Sequence, residues 1–275
     1  MIHCFVDCIG SNEVSIIGGD AHHLINVLRV KVGDEIYVSD ENGRGVVCSI
    51  SGIGDDGVTA DIIREEEDRE LPVDITLYQS LPKGDKMEFI IQKCTELGVR
   101  RIVPVESSRC VVKLDGKSAD KKVDRWQKLA RSASEQSQRN AIMEIAPVMS
   151  WKEALKAAGS AENAVQDACA GSDDDTAVQD TTQAAQKIAQ GSQRAVICFE
   201  HESGVEGLKS LLKASGSLKS ISIFVGPEGG YSDEEVTEAA AAGITPISLG
   251  RRILRTETAG MALAAAIMLN IEAGR

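Results

Sequence analysis

The sequence contains few aromatic residues: phenylalanine, tryptophan and tyrosine make up 3% of its 275 residues. Apolar residues make up 43%, so the cores must be built from aliphatic side chains. No uncharged apolar run reaches about 18 residues, the length that predicts a transmembrane helix. The N-terminal segment MIHCFVDCIG lacks the basic start and the apolar stretch of a secretory signal. These absences predict a cytoplasmic protein without a membrane span.

The sequence also lacks the spacings typical of metal sites. Its seven cysteines are scattered and form no Cys-x-x-Cys pair, which is typical of small buried residues in a reducing compartment. The adjacent His22 and His23 would point in different directions on a helix and make a poor metal pair. We therefore expect no metal, and a contact of His22 with RNA stays open as an alternative.

Neither of two glycine-containing stretches has the context of a nucleotide site. GIGDDG at 52–57 is followed by VTADII, a predicted strand, whereas a dinucleotide-binding loop needs a helix that begins inside it. DGKS at 115–118 lacks the upstream glycine of a phosphate-binding loop. The first stretch predicts a hairpin turn, and an NAD or ATP enzyme is disfavoured.

Charge is distributed unevenly along the chain. The net charge of −12 taken alone disfavours a nucleic-acid partner. Residues 73–140, however, hold 14 basic and 9 acidic residues, while residues 1–72 hold 5 and 15. Because screening limits distant charge to roughly 10 Å, a local basic patch can still bind phosphates. From charge alone, a solvated helical face is an equally good interpretation.

Hydrophobic patterns predict two domains. Residues 1–72 read as a small β-barrel or sandwich with one short helix over DAHHLINVLRV, and they end in a charged linker at Pro72. Asn42-Gly43 between two apolar runs predicts a hairpin whose turn residues both have positive φ. From residue 73 strands and helices alternate, which predicts an α/β domain with a parallel sheet. The segment 158–193 is poor in large apolar residues and predicts a surface insertion without a core of its own.

Two glycine-containing loops follow predicted strands in the C-terminal half. SISIFVGPEGGYSDEEV places Gly226-Pro227-Glu228-Gly229-Gly230 after a buried strand, and Ser232 with Glu235 predicts a capping box. Ligands of open parallel sheets bind beyond the carboxyl ends of the strands, where glycines allow close approach to the backbone. Glu228 adds a hydrogen-bond acceptor, so a binding loop is favoured over a plain turn.

The second loop, LGRRILRTETAGMAL, joins a strand end to the most apolar helix of the chain. Thr256 is the expected helix cap, and Glu257 suits the positive end of the helix dipole. Arg251, Arg252 and Arg255 oppose that dipole and need an anionic partner, either RNA or Glu228.

These two loops resemble the RsmE family of 16S ribosomal RNA uridine-N3 methyltransferases, which belongs to the SPOUT superfamily. The segments HHLINVLRVKVGDEI, LPKGDKMEFIIQKCTELGV and RWQKLARSASEQSQR resemble the same family, so the likeness covers nearly the whole chain except 158–193. The resemblance implies α/β class: a small PUA-like β-barrel RNA-binding domain at 1–72, then a SPOUT methyltransferase domain at 73–275 with a trefoil-knotted parallel sheet. It also implies a homodimer.

The resemblance further implies the cofactor S-adenosyl-L-methionine and the substrate 16S rRNA of the small ribosomal subunit, at uridine 1498 by the family's convention. The residues implied to bind the cofactor are Phe199, Glu200, Gly226, Glu228, Gly229, Leu249, Gly250, Ile253, Leu254 and Thr258.

Residue roles in the reaction also follow from the resemblance. Arg255 is expected to stabilise the anion that develops on the base, and Glu228 to orient the substrate or accept a proton. The residues expected to contact RNA are His22, Arg29, Lys83, Lys86, Lys93, Arg109, Lys113, Arg125, Arg139, Arg251 and Arg252.

Two departures from the family pattern stand out. The family commonly has an arginine near its N-terminus, where this chain reads MIHCFVD with His3 as the candidate substitute. Residues 1–72 are also strongly acidic for a domain that binds RNA. Two alternatives stay open: a SPOUT enzyme that modifies another RNA position, such as a ribose 2′-OH, and a non-catalytic RNA-binding module of ribosome assembly.

Overall fold

A computed structural model describes residues 1–40, 42–54, 57–160 and 193–274. Most of the expected insertion at 158–193 lies outside the described residues. The chain divides into two compact units, one comprising Met1–Glu70 with Arg131–Ile142 and the other Leu71–Ala130 with Met143–Arg275. The sequence had placed residues 131–142 in the second domain, whereas their contacts group them with the first unit.

The first unit is built on a mixed five-stranded sheet. Its strands are β1 (Ile2–Val6), β2 (Glu13–Ile17), β3 (Glu35–Asp40), β4 (Gly45–Ile53) and β5 (Gly57–Glu65), in the spatial order β1-β3-β4-β5-β2. Strands β1 and β3 are parallel, and the other neighbours are antiparallel. A short helix α1 (Gly18–His22) leads into a π-helical segment (His23–Leu28), which ends at Arg29 in the left-handed region. The buried faces form an aliphatic core, as the composition predicts.

The hairpin between β3 and β4 forms as predicted, with Ser39 paired to Gly45 and with Gly43 at a φ of 83°. The Gly43 N–H donates to the Asp40 carbonyl at 3.1 Å, and the Asp40 carboxylate accepts hydrogen bonds from the backbone N–H groups of Asn42 and Arg44 at 2.9 and 3.0 Å. The Asp40 side chain therefore stabilises the turn that follows β3. The positive φ expected at Asn42 depends on residue 41, which lies outside the described residues, and stays a prediction.

The second unit is built on a parallel sheet. Strands β6 (Asp74–Ser80), β7 (Arg101–Glu106), β8 (Glu144–Ile145), β10 (Gln193–Cys198), β11 (Ser220–Val225) and β12 (Thr245–Ile247) lie in the order β12-β10-β11-β6-β7-β8, and β9 (Met149–Ser150) also pairs with β7. The central strands are buried on both faces and rich in Ile and Val, as parallel strands covered by helices are.

Helices connect and cover these strands: α2 (Lys86–Glu96), α3 (Gly116–Gln136), α4 (Trp151–Ser160), α5 (Glu206–Ser215), α6 (Asp233–Ala241) and α7 (Thr256–Glu272). The α/β class and the repeated strand–helix pattern are confirmed. The capping box is confirmed too, because Ser232 Oγ accepts from the Glu235 N–H and Glu235 Oε2 accepts from the Ser232 N–H. Within the described ranges, no helix is long and apolar enough to cross a membrane.

Candidate active site

A cleft of about 420 Å³ lies in the second unit at the carboxyl ends of β10, β11 and β12. We call it the strand-end cleft. Its lining combines the loop after β11, the loop after β12, the first turn of α7 and Lys86 at the start of α2. A parallel sheet brings the carboxyl ends of its strands to one edge, so segments far apart in sequence meet there.

Apolar side chains and the backbone of a glycine make up much of this lining. Leu249, Ile253, Leu254 and Ala259 supply apolar surface. A Cβ added to Gly226 would lie 3.2 Å from the backbone of Gly230, which is tighter than ordinary contact. Glycine at 226 therefore keeps this wall thin and leaves peptide groups accessible to a ligand.

Thr256 ties the two loops together instead of capping the last helix. Its Oγ1 donates to the Gly226 carbonyl at 2.6 Å and accepts from Gln79 Nε2 at 2.9 Å. Arg255 occupies the N-cap position, and its side chain makes no capping hydrogen bond. The expected Thr256 cap is therefore wrong, because its hydroxyl is committed to bonds with β6 and the loop after β11.

Glu228 is bound by Lys86. Glu228 Oε1 accepts from Lys86 Nζ at 2.7 Å and from the Lys83 backbone N–H at 3.1 Å. Partial burial alone would raise the pKa of Glu228, but these bonds and a backbone bond of its own outweigh burial, so that pKa lies below its ordinary value. The hydrogen bond to Glu228 in turn raises the pKa of Lys86. Both groups are charged at neutral pH.

Within the described residues, Glu228 forms its ion pair with Lys86 and none with the arginines of the loop after β12, contrary to one expectation. Arg251 and Arg252 are exposed and line the cleft. The Arg255 side chain is 83% exposed, and its Nη1 lies 4.0 Å from Glu257 Oε1. An exposed guanidinium beside the cleft is free to reach a bound anion.

Most residues that the sequence predicts for cofactor binding line the strand-end cleft: Phe199, Glu200, Gly226, Glu228, Leu249, Gly250, Ile253 and Leu254. The two predicted catalytic residues, Arg255 and Glu228, line it as well. Gly229 and Thr258 do not belong to this lining in the described part of the chain. The Gly229 carbonyl accepts a hydrogen bond from Arg109 Nη1 at 3.0 Å, and the Thr258 N–H donates to the Arg255 carbonyl.

Sequence reasoning missed several lining residues: Cys198, Val225, Pro227, Gly230, Tyr231, Ser248, Thr256 and Ala259, with Lys86 assigned to RNA instead. Desolvation raises the pKa of Cys198 to about 12, and burial raises that of Tyr231, so both stay neutral. The charge of the cleft therefore comes from its carboxylates, Lys86 and the arginines.

Arg139 does not fit its expected role as a phosphate contact. Its side chain is 6% exposed, and its guanidinium pairs with the Glu70 carboxylate through Nε and Nη2. A buried, paired guanidinium is withheld from RNA, so this expectation is wrong and Arg139 stabilises the first unit.

His3, considered as a substitute for the family's arginine, is also internal. Its ring packs on Phe5 and Tyr37, and Nε2 lies 3.0 Å from Ser39 Oγ. Burial lowers the pKa of His3 to about 4, so the ring is neutral near pH 7 and cannot replace a cation.

The other predicted RNA contacts lie at the surface or make ion pairs. His22, Arg29, Lys83 and Lys113 are exposed. Lys93 pairs with Glu96, and Arg125 with Glu88, at 2.7 and 2.8 Å. Ion pairs this exposed are weak and exchangeable, so RNA contact by these residues stays a prediction.

Comparison with known proteins places the chain in a family. Residues 69–268 match the family described as RNA methyltransferase domain, and residues 16–63 match the family described as RNA methyltransferase PUA domain. The chain belongs to this RNA methyltransferase family. The N-terminal sheet is accordingly PUA-like, and the strand-end cleft lies in the methyltransferase domain. Threading of the last helix through a trefoil knot stays an implication of the family resemblance.

Individual relatives agree. Ribosomal RNA small subunit methyltransferase E of Bacillus subtilis is 35% identical over 94% of this chain and 90% of its own length. A crystal structure of the enzyme of that name from Neisseria gonorrhoeae, bound to S-adenosyl methionine, superimposes with a TM-score of 0.73 at 31% identity, covering 98% of this chain and 97% of the other. A crystal structure of a hypothetical protein gives a TM-score of 0.81 at 32% identity, covering 99% and 100%.

The residues present fit S-adenosylmethionine. Gly226 and the apolar side chains form a slot that suits an adenosyl group, and a volume of about 420 Å³ is in the range of small-molecule sites. Gly250 has a φ of 115°, which turns its peptide in a way that other residues rarely adopt. The methyltransferase activity of the family thus has a matching cleft in this chain.

Proposed function

We propose that this protein transfers a methyl group from S-adenosylmethionine to N3 of a uridine in 16S rRNA of the small ribosomal subunit, uridine 1498 by the family's convention. The observation that supports it most is the strand-end cleft. It gathers apolar, glycine-lined walls and an exposed Arg255 at one edge of a methyltransferase domain.

When bound, S-adenosylmethionine supplies an electrophilic methyl group on a sulfonium. The backbone around Gly226, Leu249 and Gly250 holds the cofactor, and the apolar side chains exclude water from it. The imide proton of uridine N3 passes to solvent, and N3 attacks the methyl carbon as the carbon–sulfur bond breaks, which leaves the neutral thioether S-adenosylhomocysteine. Positioning the two reactants supplies much of the acceleration.

Arg255 stabilises the negative charge that spreads over the uracil ring as the proton leaves. Arg255 lines the cleft, and its guanidinium is exposed to solvent. At 4.0 Å from Glu257 Oε1, the guanidinium makes only a weak ion pair. A cation aimed at the developing anion lowers the barrier to transfer. Arg255 is the proposed catalytic residue.

Glu228 serves as an orienting acceptor. Its lowered pKa makes it a weak base, so it does not hold the imide proton once that proton has left N3. One oxygen is engaged by Lys86 and Lys83, and the carboxylate can still accept a hydrogen bond from a ligand through the other.

The target base has to be unpaired, because N3 lies on the pairing edge of uracil. Basic side chains at the surface and His22 supply the phosphate contacts: His22, Arg29, Lys83, Lys93, Arg109, Lys113, Arg125, Arg251 and Arg252. Because the proposed substrate is ribosomal RNA, we infer that the protein acts in the cytoplasm.

A homodimer accounts for the last helix. Helix α7 is apolar on all sides, and such a helix is normally buried all round. Ala262 and Leu269 are nevertheless exposed in the single chain. A second copy of the chain would cover this face.

The test is methyl transfer from labelled S-adenosylmethionine to small subunits that lack N3-methyluridine, followed by nucleoside analysis. N3-methyluridine is the expected product with the wild type, and Arg255→Ala is expected to abolish it while cofactor binding persists. Label in a ribose 2′-O-methyl nucleoside would show that the methylated position is a different one. No transfer to subunits or free rRNA would favour a non-catalytic RNA-binding module.

A further inference from the structure

Lys86 joins three separate walls of the strand-end cleft. It begins α2, its Nζ lies 2.7 Å from Glu228 Oε1 in the loop after β11, and it lies 3.5 Å from Glu257 Oε2 in the first turn of α7. Lys86 and Glu228 are 142 positions apart in the sequence. One ammonium therefore bridges two carboxylates carried by different elements.

The charge of the mostly buried Glu257 carboxylate is offset by the Lys86 ammonium. Its side chain is 16% exposed, and Oε2 is buried and accepts no hydrogen bond within the described part of the chain. A buried carboxylate oxygen without a donor is costly unless a counter-charge lies nearby. Lys86 supplies that counter-charge, while the more distant Arg255 is mostly exposed to solvent.

Two carboxylates beside a site of proton loss would oppose the reaction. Deprotonation of N3 creates an anion, and nearby negative charge raises the free energy of that anion. The charged groups that line the cleft or lie against Lys86 are Glu200, Glu228, Glu257, Arg251, Arg252 and Arg255, with Lys83 on the adjoining loop. Of the cations, Lys86 is the one in ion-pair contact with both Glu228 and Glu257 in the described structure.

We propose that Lys86 is a positioning residue for methyl transfer: it holds Glu228 in place and offsets the charge of Glu228 and Glu257 where N3 loses its proton. This role rests on the proposed function. It differs from the phosphate contact that the sequence predicted for Lys86. It also predicts a shift of the pH–rate profile, because the charge of Lys86 acts on the loss of the N3 proton and not on cofactor binding.

The experiment measures single-turnover methyl transfer to small subunits lacking N3-methyluridine as a function of pH, with the cofactor dissociation constant measured by calorimetry. Lys86→Met is expected to move the pH–rate profile to higher pH by about 0.5 to 1 unit. The dissociation constant of the cofactor is expected to change by less than about threefold. Lys86→Arg is expected to restore most of the profile. Lys209→Met, which removes a surface ion pair with Glu206, is the matched control.

A second variant keeps the test independent of the stability of Lys86→Met. Glu257→Gln removes one negative charge and leaves Lys86 in place, so it is expected to move the profile to lower pH. The double variant, with both charges removed, is expected to return close to the wild type.

The outcomes separate the two proposals. Failure of the wild type to form N3-methyluridine would overturn the proposed function. An active wild type whose profile is unmoved by either charge change would overturn the role of Lys86. An equal loss in cofactor affinity and rate, with the profile unmoved, would assign Lys86 to cofactor binding and overturn the inference as well.

Discussion

Thr256 Oγ1 lies 2.6 Å from the Gly226 carbonyl oxygen and donates a hydrogen bond to it, joining the first turn of α7 to the loop after β11. The same hydroxyl accepts from Gln79 Nε2, a buried amide at the end of β6. One buried hydroxyl thus sets the distance between two walls of the strand-end cleft.

Thr256→Val keeps the shape of the side chain and removes this junction. Because it removes the acceptor of one Gln79 N–H and the donor to the Gly226 carbonyl, while Gln79 keeps its bond to the Ser80 carbonyl, we expect a loss of about 1–3 kcal/mol in the free energy of unfolding. Cofactor affinity should fall as well, because the loop is no longer held. Urea denaturation and calorimetry check both. Thr237→Val, which removes an exposed hydrogen bond within α6, should change stability by less than about 0.5 kcal/mol.

Gly250 is expected to be intolerant of a side chain for reasons of backbone conformation alone. Its φ is 115°, and a Cβ there would meet no atom within 4 Å. Gly250→Ala should therefore cost about 1–3 kcal/mol through backbone strain, or else reshape the loop and weaken cofactor binding. Gly216→Ala is the matched control, because Gly216 has a φ of −68° and equal space around it. Equal tolerance of both substitutions would contradict this account.

Arg139 is predicted to act on stability and not on RNA affinity. Arg139→Met leaves the Glu70 carboxylate, which is 16% exposed, without its counter-charge, and this should lower the free energy of unfolding by about 3 kcal/mol. Arg64→Met breaks a pair whose arginine is 50% exposed and should cost less than about 1 kcal/mol. Urea denaturation compares the two. A stable Arg139→Met protein with weakened RNA binding would restore the original interpretation of this residue.

His3 makes stability depend on pH. Burial lowers its pKa from 6.5 to about 4, so below pH 6.5 the unfolded chain binds a proton that the folded chain does not. The contribution of His3 is fully present above pH 6.5, is lost as the pH falls towards 4, and amounts to at most about 3 kcal/mol. His3→Phe should flatten this part of a stability–pH curve, and His201→Gln, a substitution at an exposed position, is the control. An unaltered slope in His3→Phe would show that other titratable groups cause the pH dependence of stability in this range.

Local patterns predicted much of the fold. The alternation of strands and helices after residue 73 indicated the parallel sheet, and the spacing of Ser232 and Glu235 gave the capping box, since both depend on neighbours within a few positions. The glycine loops after two strands pointed to the cleft, because parallel strands bring their carboxyl ends to one edge. The Asn42-Gly43 pattern predicted the hairpin between β3 and β4, whereas only the structure showed that the Asp40 carboxylate supports its turn.

By itself, the sequence determined the elements, the loops that could hold a ligand and the family, because periodicity, capping and loop composition are recorded in neighbouring residues. Tertiary structure decided which charges meet. Lys86 and Arg139 look alike in sequence as members of one basic stretch, yet one bridges carboxylates at a cleft and the other is buried with Glu70. The order β11-β6 in the sheet brings the start of α2 to the loop after β11. That order arises from long-range packing, which no local pattern records.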